Sequence, residues 1–506
     1  MCPMGMPPSI SIRCIAAVFL VLAAFPGLSE GADPLSLSIR DAVRIAVERN
    51  LGLKVASHNP AIAETDTRKA RSIYDPTLSA FFAHREEDLP SLSEPSMVTR
   101  QRFFDYDTSL SQLLPTGATA SASFTNRWYK DNLSLSASRY ARPELAITLS
   151  QPLLKGLGRE VTERGITTAD DAMDASLADW SQQALDTAAS ASVLYLALVK
   201  TRDSLATRRT SLELARQVHA ENEARVNAGV LASYQLQDSA LGVIQRRKEL
   251  LDAERAEKDA VDRLLAALNL PPGTPVEDSG IPDPEPFSVP EADALRSAAS
   301  RRPDMVSARI ALRTAEFNER VSRNLALPSL ALEGSAGVAG LDPEYGDAFE
   351  DMGGGKYPSW SVGLSFSFPI GNRSARADLA ANRLKASQAR TRLAATEENA
   401  VLEIRTSLRA LESQREQIDV TAQGVTTAET LLASYRKRQQ LGLATTKDVL
   451  DVETSLTQAK ESYSASRANY YAALTALWRA TGELLDRVGL RPEGKGPDSG
   501  KRKGTP

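Results

Sequence analysis

The sequence contains two copies of one internal repeat, and this repeat limits the folds that the chain can adopt more than any other feature. Segments 46–76 and 298–328 run in parallel at an offset of 252 residues, whereas Pro152 and Pro369 correspond at an offset of 217. The drop places about 35 extra residues between 76 and 152, in a region of strands and loops, where insertions are tolerated. Two repeats are too few for a solenoid, so they indicate pseudo-twofold symmetry within one protomer.

Each copy contains a very long helix, a tight turn and a return helix. The two long segments hold no proline and carry apolar residues at three-and-four spacing, which predicts helices of about 100 Å. Each stops at a glycine, Gly229 or Gly442, that can adopt the left-handed conformation of a helix C-cap. The sequence therefore predicts two coiled-coil hairpins with their tip turns at these glycines. The predicted helices are 160–228, 232–268, 374–440 and 446–484.

The remaining segments complete the predicted organisation. An apolar run from Cys14 to Phe25 followed by small residues is the layout of a secretory signal peptide. It holds the second of only two cysteines, the other being Cys2, so the mature chain would have no disulfide. An amphipathic helix is predicted from about Ser38 to Ser72. The predicted segments are a signal peptide over 1–31, a first repeat over 35–270 with strands in 76–152, a proline-rich linker over 271–290, a second repeat over 291–490 with strands in 329–370, and a disordered tail over 491–506.

The strand from Trp360 to Phe368 bears most directly on the compartment. Every second residue is large and apolar, and every residue between is serine or glycine. This alternation suits a strand between lipid and a water-filled lumen, although a half-buried soluble strand shows it too. The inserted residues add a hairpin at 114–117, and the sequence leaves open whether its arms join the sheet. About four membrane strands per chain are predicted, and these cannot close alone, so such a chain must oligomerise.

Other functional classes find little support in the sequence. A net charge of −4 without a basic stripe argues against nucleic acid as a partner. The only histidines, His58, His84 and His219, lie in unrelated segments and are interpreted as surface residues rather than metal ligands. The run 353–356 resembles a phosphate loop, but no helix follows it. The sequence predicts no catalytic set, cofactor or metal, and therefore no enzyme.

Three segments carry a resemblance to a known family. Ser-Gln-Pro-Leu at 150–153, Phe-Pro-Ile-Gly-Asn at 368–372 and the Gly-Leu-x4-Asp-Val-Leu-Asp run at 442–451, in a doubled layout over about 35–490, resemble TolC-family outer membrane efflux proteins. The resemblance implies a mostly α protein with a membrane β-barrel portion. Three protomers would form a 12-stranded barrel through the bacterial outer membrane, and a helical tunnel would continue it across the periplasm.

The same resemblance implies a function and partners. The chain would be the exit duct of a tripartite efflux pump or type I secretion system, passively conducting substrates outward. Its partners would be two further copies, outer membrane lipid, a periplasmic adaptor and an inner membrane pump or ABC-type exporter. The alternative is a periplasmic coiled-coil adaptor or structural spacer, which explains the hairpins but gives the aromatic-serine strand no role.

The resemblance also implies a gate at the periplasmic tip, ringed by Asp448 and Asp451. Aspartates three apart share a helix face, and three copies would gather them in one opening that favours cations. Alternatively, a threonine at 445 or 446 caps this helix, and an acid in its first turn is stabilised by the helix dipole.

Three positions depart from the family at this gate. An arginine and a tyrosine flank the second-turn glycine in well-studied members, whereas Ala444 and Gln439 stand there in this chain. The first-copy acid that pairs with that arginine is replaced by Gln235, while Asp238 matches Asp451 in the repeat. The sequence therefore leaves open what holds a closed gate together.

Overall fold

A computed structural model describes residues 35–90, 98–132, 139–284 and 287–490. The predicted signal peptide and the predicted tail lie outside these ranges. The helices are α1 Ile39–Arg49, α2 Leu51–Arg71, α3 Arg159–Thr162, α4 Arg164–Asn227, α5 Ser233–Leu268, α6 Glu291–Arg301, α7 Pro303–Leu325, α8 Tyr345–Gly353, α9 Arg373–Gln440, α10 Thr446–Thr481 and α11 Leu484–Arg487. The strands are β1 Leu35–Leu37, β2 Thr77–Pro90, β3 Val98–Leu113, β4 Thr119–Asp131, β5 Arg139–Pro152, β6 Val276–Asp278, β7 Ser329–Ala339 and β8 Tyr357–Ser367.

The long helices form one layer. Toward the tips, α5 packs on α4, α4 on α10, and α10 on α9. Toward the strands, α2 packs on α4, and α7 packs between α4 and α9. At 68 residues α9 is about 100 Å long. Because α5 and α9 lie at the two ends of the layer, each presents a side that no helix of the described chain covers.

The main apolar core lies midway along the helices. It joins α1, α4, α5 and α11 through fully buried leucines such as Leu198, Leu264 and Leu484. The Tyr195 hydroxyl donates to the carbonyl of Leu37 at 3.1 Å, which ties the start of the described chain to α4. Here β1 pairs in parallel with β6. The proline-rich linker therefore contains a short strand that the sequence did not predict.

The first helix is divided where the sequence predicts one continuous helix, so that prediction was wrong. The division falls at Asn50, whose side-chain oxygen accepts from the Leu53 backbone N–H at 3.0 Å while its amide donates to the Ala267 carbonyl at 3.2 Å. This side chain caps α2 and binds α5 at once. Tertiary contact thus determines a break that the helical periodicity does not show.

Six strands form one antiparallel sheet in the order β2-β3-β4-β5-β7-β8. The prediction of about four strands was therefore wrong, because the inserted residues form β3 and β4 inside the sheet. Their alternation continues in register with the neighbouring strand, for example Ser121 opposite Thr148. The 12-strand count assumed four strands per copy and does not follow from a sheet of six.

The turn between β3 and β4 lies at the helical end of the sheet. Gly117 has φ +87°, and a Cβ there would lie 2.5 Å from the carbonyl oxygen of Gly156. The Gly158 N–H donates to the Thr116 carbonyl at 3.0 Å. The inserted hairpin is thus held against the segment that leads into α3 and α4. At the other end of the sheet, α8 connects β7 to β8 and packs on β5, and its residue Ala348 is fully buried.

Candidate channel gate and membrane face

Both helical hairpins turn at a glycine in the left-handed conformation, Gly229 with φ +74° and Gly442 with φ +75°. The N–H after each glycine donates five residues back, from Val230 to the Arg225 carbonyl and from Leu443 to the Arg438 carbonyl. Each glycine N–H donates to the carbonyl three residues back, so both turns are Schellman motifs. An added Cβ would meet nothing within 4 Å at either glycine. The requirement for glycine is therefore conformational rather than steric.

Asp448 forms part of the N-terminal cap of the return helix at the second tip. Its carboxylate accepts from the backbone N–H and the hydroxyl of Thr445, both at 2.7 Å, and its own N–H donates back to that hydroxyl at 3.2 Å. This reciprocal arrangement is a capping box. Hydrogen bonds from the Thr445 side chain and backbone, and the positive charge of Lys447, lower the pKa of Asp448 below its ordinary value of 3.8. Asp448 is therefore held ionised by the helix start itself.

The other tip acids are differently placed. Asp451 lies one turn further along α10 with its side chain exposed, and its backbone carbonyl accepts from the Ser455 hydroxyl at 3.0 Å. Asp238, its counterpart on α5, is also exposed. Both Asp448 and Asp451 lie within the first two turns of α10, where their spacing of three residues puts them on one face of the helix. Their role as a gate stays a prediction.

A buried ion pair joins the two hairpins near their tips. The Arg246 guanidinium on α5 donates to a single carboxylate oxygen of Glu453 on α10 at 2.7 and 2.8 Å, and the two residues are only 6% and 3% exposed. Arg246 also donates to the Leu450 carbonyl and the Thr454 hydroxyl, while Glu453 accepts from Thr457. The pair is thus held within a set of further hydrogen bonds, the condition under which such a pair is tolerated in a packed interface.

Sequence reasoning missed this pair, although one signal for it existed. The buried residues Ser239, Gly242 and Arg246 follow one another at three-and-four spacing along α5, so the arginine occupies the seam of the coiled coil. Gly242 lies against Leu450, whose methyl group would be 2.9 Å from an added Cβ. A charged residue on the same helix face as small residues of the seam predicts a buried residue of opposite charge on the facing helix. The sequence does not show which residue that is.

A second set of buried polar contacts surrounds Gln439. The Asn222 amide on α4 donates to the Thr446 hydroxyl at 2.8 Å, and the Gln439 amide contacts the same hydroxyl at 3.4 Å. The Arg225 guanidinium donates to the Gln439 carbonyl at 3.3 Å. Gln439 stands where well-studied family members have a tyrosine. Its contacts join the ends of α4, α9 and α10 inside one protomer.

The six-stranded sheet has one apolar face. Directly paired residues of antiparallel neighbours share a face, so the register assigns each side chain to one side of the sheet. Trp360 at its edge is 80% exposed, and a patch of this extent marks a surface that contacts lipid or another chain. The large members of this apolar face are Leu78, Phe82, Phe104, Tyr106, Leu110, Phe124, Trp128, Leu145, Ile147, Leu149, Leu330, Leu332, Val338, Trp360, Val362, Leu364 and Phe366.

The opposite face, here called the polar face, is lined mainly by small and charged residues. Ser361 and Ser335 contact one another across β7 and β8 at 2.8 Å, and Arg127 pairs with Asp105 at 2.8 Å. Away from the helices it also carries a row of rings, in which Phe103 and Tyr140 flank Tyr129 with centroids 5.2 and 4.9 Å away. This division is the one expected of a strand between lipid and a water-filled lumen.

Three features of the described residues relate to metal binding, membrane-spanning helices and phosphate binding. No group of three or more His, Cys, Asp or Glu is placed to hold a metal ion in the part of the chain that the structure describes. In the same part, every helix falls short of the length and apolar character needed to cross a membrane. The run 353–356 ends α8 and leads into β8, and the Lys356 ammonium donates to Asp351 at 2.7 Å. This connection therefore lacks the helix start that binds phosphate.

A two-faced sheet joined to helices of this length defines a class of envelope protein, the outer membrane channels with periplasmic helices. Residues 294–483 match the family model for outer membrane efflux protein. The chain is 27% identical over 234 residues to outer membrane protein TolC of Escherichia coli strain K12, covering 44% of each chain. It is 25% identical over 201 residues to outer membrane efflux protein BepC of Brucella suis biovar 1, covering 40% of this chain and 43% of BepC.

The fold is similar to that of a solved structure over a longer stretch. Outer membrane protein VceC of Vibrio cholerae superposes with a TM-score of 0.64 at 16% identity, over 88% of this chain and 96% of VceC. Residues 294–483 therefore carry an outer membrane efflux protein domain, and the matches support the TolC family and a location in the outer membrane, extending into the periplasm. The family predicted from the sequence is thus confirmed. The matched segments span less than half the length of the two curated relatives.

Proposed function

We propose that this chain is the exit duct of a tripartite efflux pump or type I secretion system. It passively conducts substrates from a periplasmic adaptor and an inner membrane pump or ABC-type exporter to the exterior. The observation that carries the proposal is the continuous apolar face across six strands, joined directly to helices of about 100 Å, which links a membrane surface to a distant periplasmic tip. A spacer protein would need the helices but not this face.

The duct is proposed to be a homotrimer. The sheet is open at β2 and β8, and hydrocarbon offers no hydrogen bonds to an open edge. The helix layer ends at α5 and α9, which expose apolar side chains such as Leu241, Leu384 and Val420. A second copy of the chain would cover both the open edges of the sheet and the exposed sides of the helix layer. The family resemblance implies that the oligomer contains three copies.

The adaptor is proposed to dock at the two tip turns. Val230 and Leu443, the residues after the two glycines, are 77% and 75% exposed, and Leu441 is exposed beside them. Apolar side chains displayed on rigid turns favour contact with another protein. A helical hairpin with complementary apolar residues would cover them.

The gate is proposed to lie at the same tip. Asp448 and Asp451 of three copies would surround one opening and favour cations. The closed state would be held by the Arg246–Glu453 pair and by the contacts of Gln439, in place of the family bonds that this chain lacks. Opening then requires α10 to move away from α5 and α4, which separates a desolvated ion pair.

Single-channel conductance in planar bilayers tests the duct and its gate together. We expect cation-selective pores from the purified protein, and weaker selectivity and weaker block by a trivalent cation in Asp448→Ala/Asp451→Ala. The matched control is Thr445→Ala, which removes the helix cap but keeps both charges. If the control reproduces the loss of selectivity, the acids act as helix caps only. If a folded, oligomeric preparation gives no pores, the duct itself is rejected in favour of a periplasmic spacer.

A further inference from the structure

The two edges of the sheet are long and unpaired in the described part of the chain. There β2, of 14 residues, pairs with β3 only, and β8, of 11 residues, pairs with β7 only. An edge of that length presents a row of free N–H and C=O groups. In a membrane such groups must be paired, because lipid supplies no donor or acceptor.

The inserted strands belong to the same membrane surface as the others. Leu78 and Phe82 of β2 lie on the apolar face, in the same layer of side chains as Trp360 and Phe366 of β8. The rings of Phe82 and Tyr106 stack at 4.9 Å across β2 and β3. A hairpin folded away from the membrane would have no need of an apolar face in register with that of the other strands. All six strands are therefore built to face lipid.

The strand directions permit closure. Each of the six strands runs antiparallel to its neighbours, so β2 and β8 run in opposite directions. When copies are related by rotation about an axis, β8 of one copy therefore meets β2 of the next in an antiparallel pair. A ring built this way has an even number of strands, as closed bacterial membrane barrels have.

We propose that β8 of each copy pairs with β2 of the next, and that three copies with six strands each close one barrel of 18 strands. The number of copies rests on the proposed function, whereas the six strands per copy rest on the sheet itself. With strands about 4.8 Å apart and tilted by about 40°, the backbone radius is about 18 Å, against about 12 Å for twelve strands.

The wider barrel changes what the membrane portion can pass. Its lumen would be lined by the polar face, with the rings of Phe103, Tyr129 and Tyr140 repeated three times around the outer end. A barrel of this radius would restrict cargo less than a twelve-stranded barrel would, so selection would rest with the proposed gate at the helical tips.

Disulfide cross-linking tests the edge pairing. The only cysteines, Cys2 and Cys14, precede the described chain and are replaced or removed with the signal peptide. A cysteine at Ser361 or Ser365 of β8 is then combined in turn with one on the polar face of β2, at Ser79, Ala83 or Glu87. We expect one register of this panel to give covalent dimers and trimers on oxidation in native membranes.

The matched control places the second cysteine on β4, at Ser123, Thr125 or Arg127, which also lie on the polar face. In the proposed barrel β4 lies between β3 and β5 of its own copy, so these variants should stay monomeric on denaturing gels. Cross-links from β8 to β4 without any to β2 would place the β2–β3 hairpin outside the barrel and overturn the proposal.

Single-particle cryo-EM of the unmodified oligomer gives an independent strand count. Eighteen strands in a trimer support the proposal, and a trimer with twelve strands and β3 outside the wall overturns it while leaving the duct intact. A closed ring of another number of copies, with β8 paired to β2, would overturn the 18-strand barrel and the homotrimer but keep the edge pairing. A stable monomer that fractionates with soluble proteins would overturn both the barrel and the duct.

Discussion

The two helical hairpins turn in the same way but start their return helices differently. Both turns are Schellman motifs around a left-handed glycine, Gly229 or Gly442. The first return helix follows Ala232, which provides no side-chain cap, whereas the second follows Thr445, which forms a capping box with Asp448. The two tips thus share the turn geometry, while the side-chain cap is found at one tip only. A residue needed for the turn should therefore matter equally at both tips, and a residue of the proposed gate should matter at one tip only.

The long helices of the two hairpins also differ in burial. Helix α4 buries residues along most of its length, because α1, α2, α5, α7 and α10 all pack on it. Helix α9 is slightly longer but has far fewer buried residues, among them Ala400, Ile404 and Leu411. The first long helix is therefore central within the protomer and the second is peripheral. Of the two long helices, α9 is thus the one that could contact a second copy in the proposed homotrimer.

The largest effect is expected from breaking the contact between the hairpins. Arg246→Ala or Glu453→Ala leaves one charge buried and unpaired, which costs about 3–5 kcal/mol. We expect the α5–α10 contact to open, with faster hydrogen exchange near both tips and a higher open probability in single-channel records. Replacing both residues by Met removes both charges and keeps much of the volume, so exchange should return toward that of the unmodified protein. Equal exchange in the single and double variants would show that the ion pair does not hold the tips.

A smaller effect is expected from the turn glycines. Gly229→Ala and Gly442→Ala each force a side chain into the left-handed region, at a cost of about 1–2 kcal/mol. Because neither added Cβ meets a neighbour, we expect equal loss of amide protection at the two tips. Gly424→Ala, inside α9 and equally free of neighbours, is the control and should raise protection. A loss at one tip only would mean that the two turns are not equivalent.

The cap that distinguishes the tips can be removed from one and added to the other. Thr445→Ala should destabilise the start of α10 by about 1 kcal/mol, and Ala232→Thr should stabilise the start of α5 by a similar or smaller amount. Amide exchange over the first turn of each helix measures both changes. If Ala232→Thr has no effect, the backbone of the first tip does not present the geometry that a cap needs.

Much of the helical architecture was readable from the sequence because it depends on local chemistry. Proline-free stretches with helical periodicity gave the long helices, and alternation of large apolar residues with serine or glycine gave β8. The hairpin at 114–117 was also predicted, but the sequence did not show whether its arms join the sheet. Alternation identifies the two faces of a strand and not the strands that pair with it. Only the register with β2 and β5 shows that β3 and β4 complete one sheet.

The contacts at the proposed gate were harder to predict from the sequence. Arg246 and Glu453 are more than 200 positions apart, and no local pattern indicates how the two coiled coils are rotated against each other. Gln439 was recognised as a departure from the family, yet its contacts with Thr446 and Arg225 depend on how three helix ends meet. Asp448 was assigned two roles from the sequence, and the structure adds direct geometry for the capping role alone.

The smallest effect is expected from titrating that cap. The pKa of Asp448 is lowered in the folded chain, first by the hydrogen bond from the Thr445 side chain. A carboxyl with a lowered folded pKa contributes stability above its unfolded pKa, and this stability is lost as the pH falls through the folded value. Protection factors over 446–449, corrected for the intrinsic exchange rate, should therefore be constant from pH 7 to about pH 5 and fall below about pH 4. The fall should be smaller in Thr445→Ala, whose Asp448 has lost the hydroxyl, and absent over the uncapped first turn of α5. An equal fall at both tips would mean that acidification acts on the helices in general rather than on this capping box.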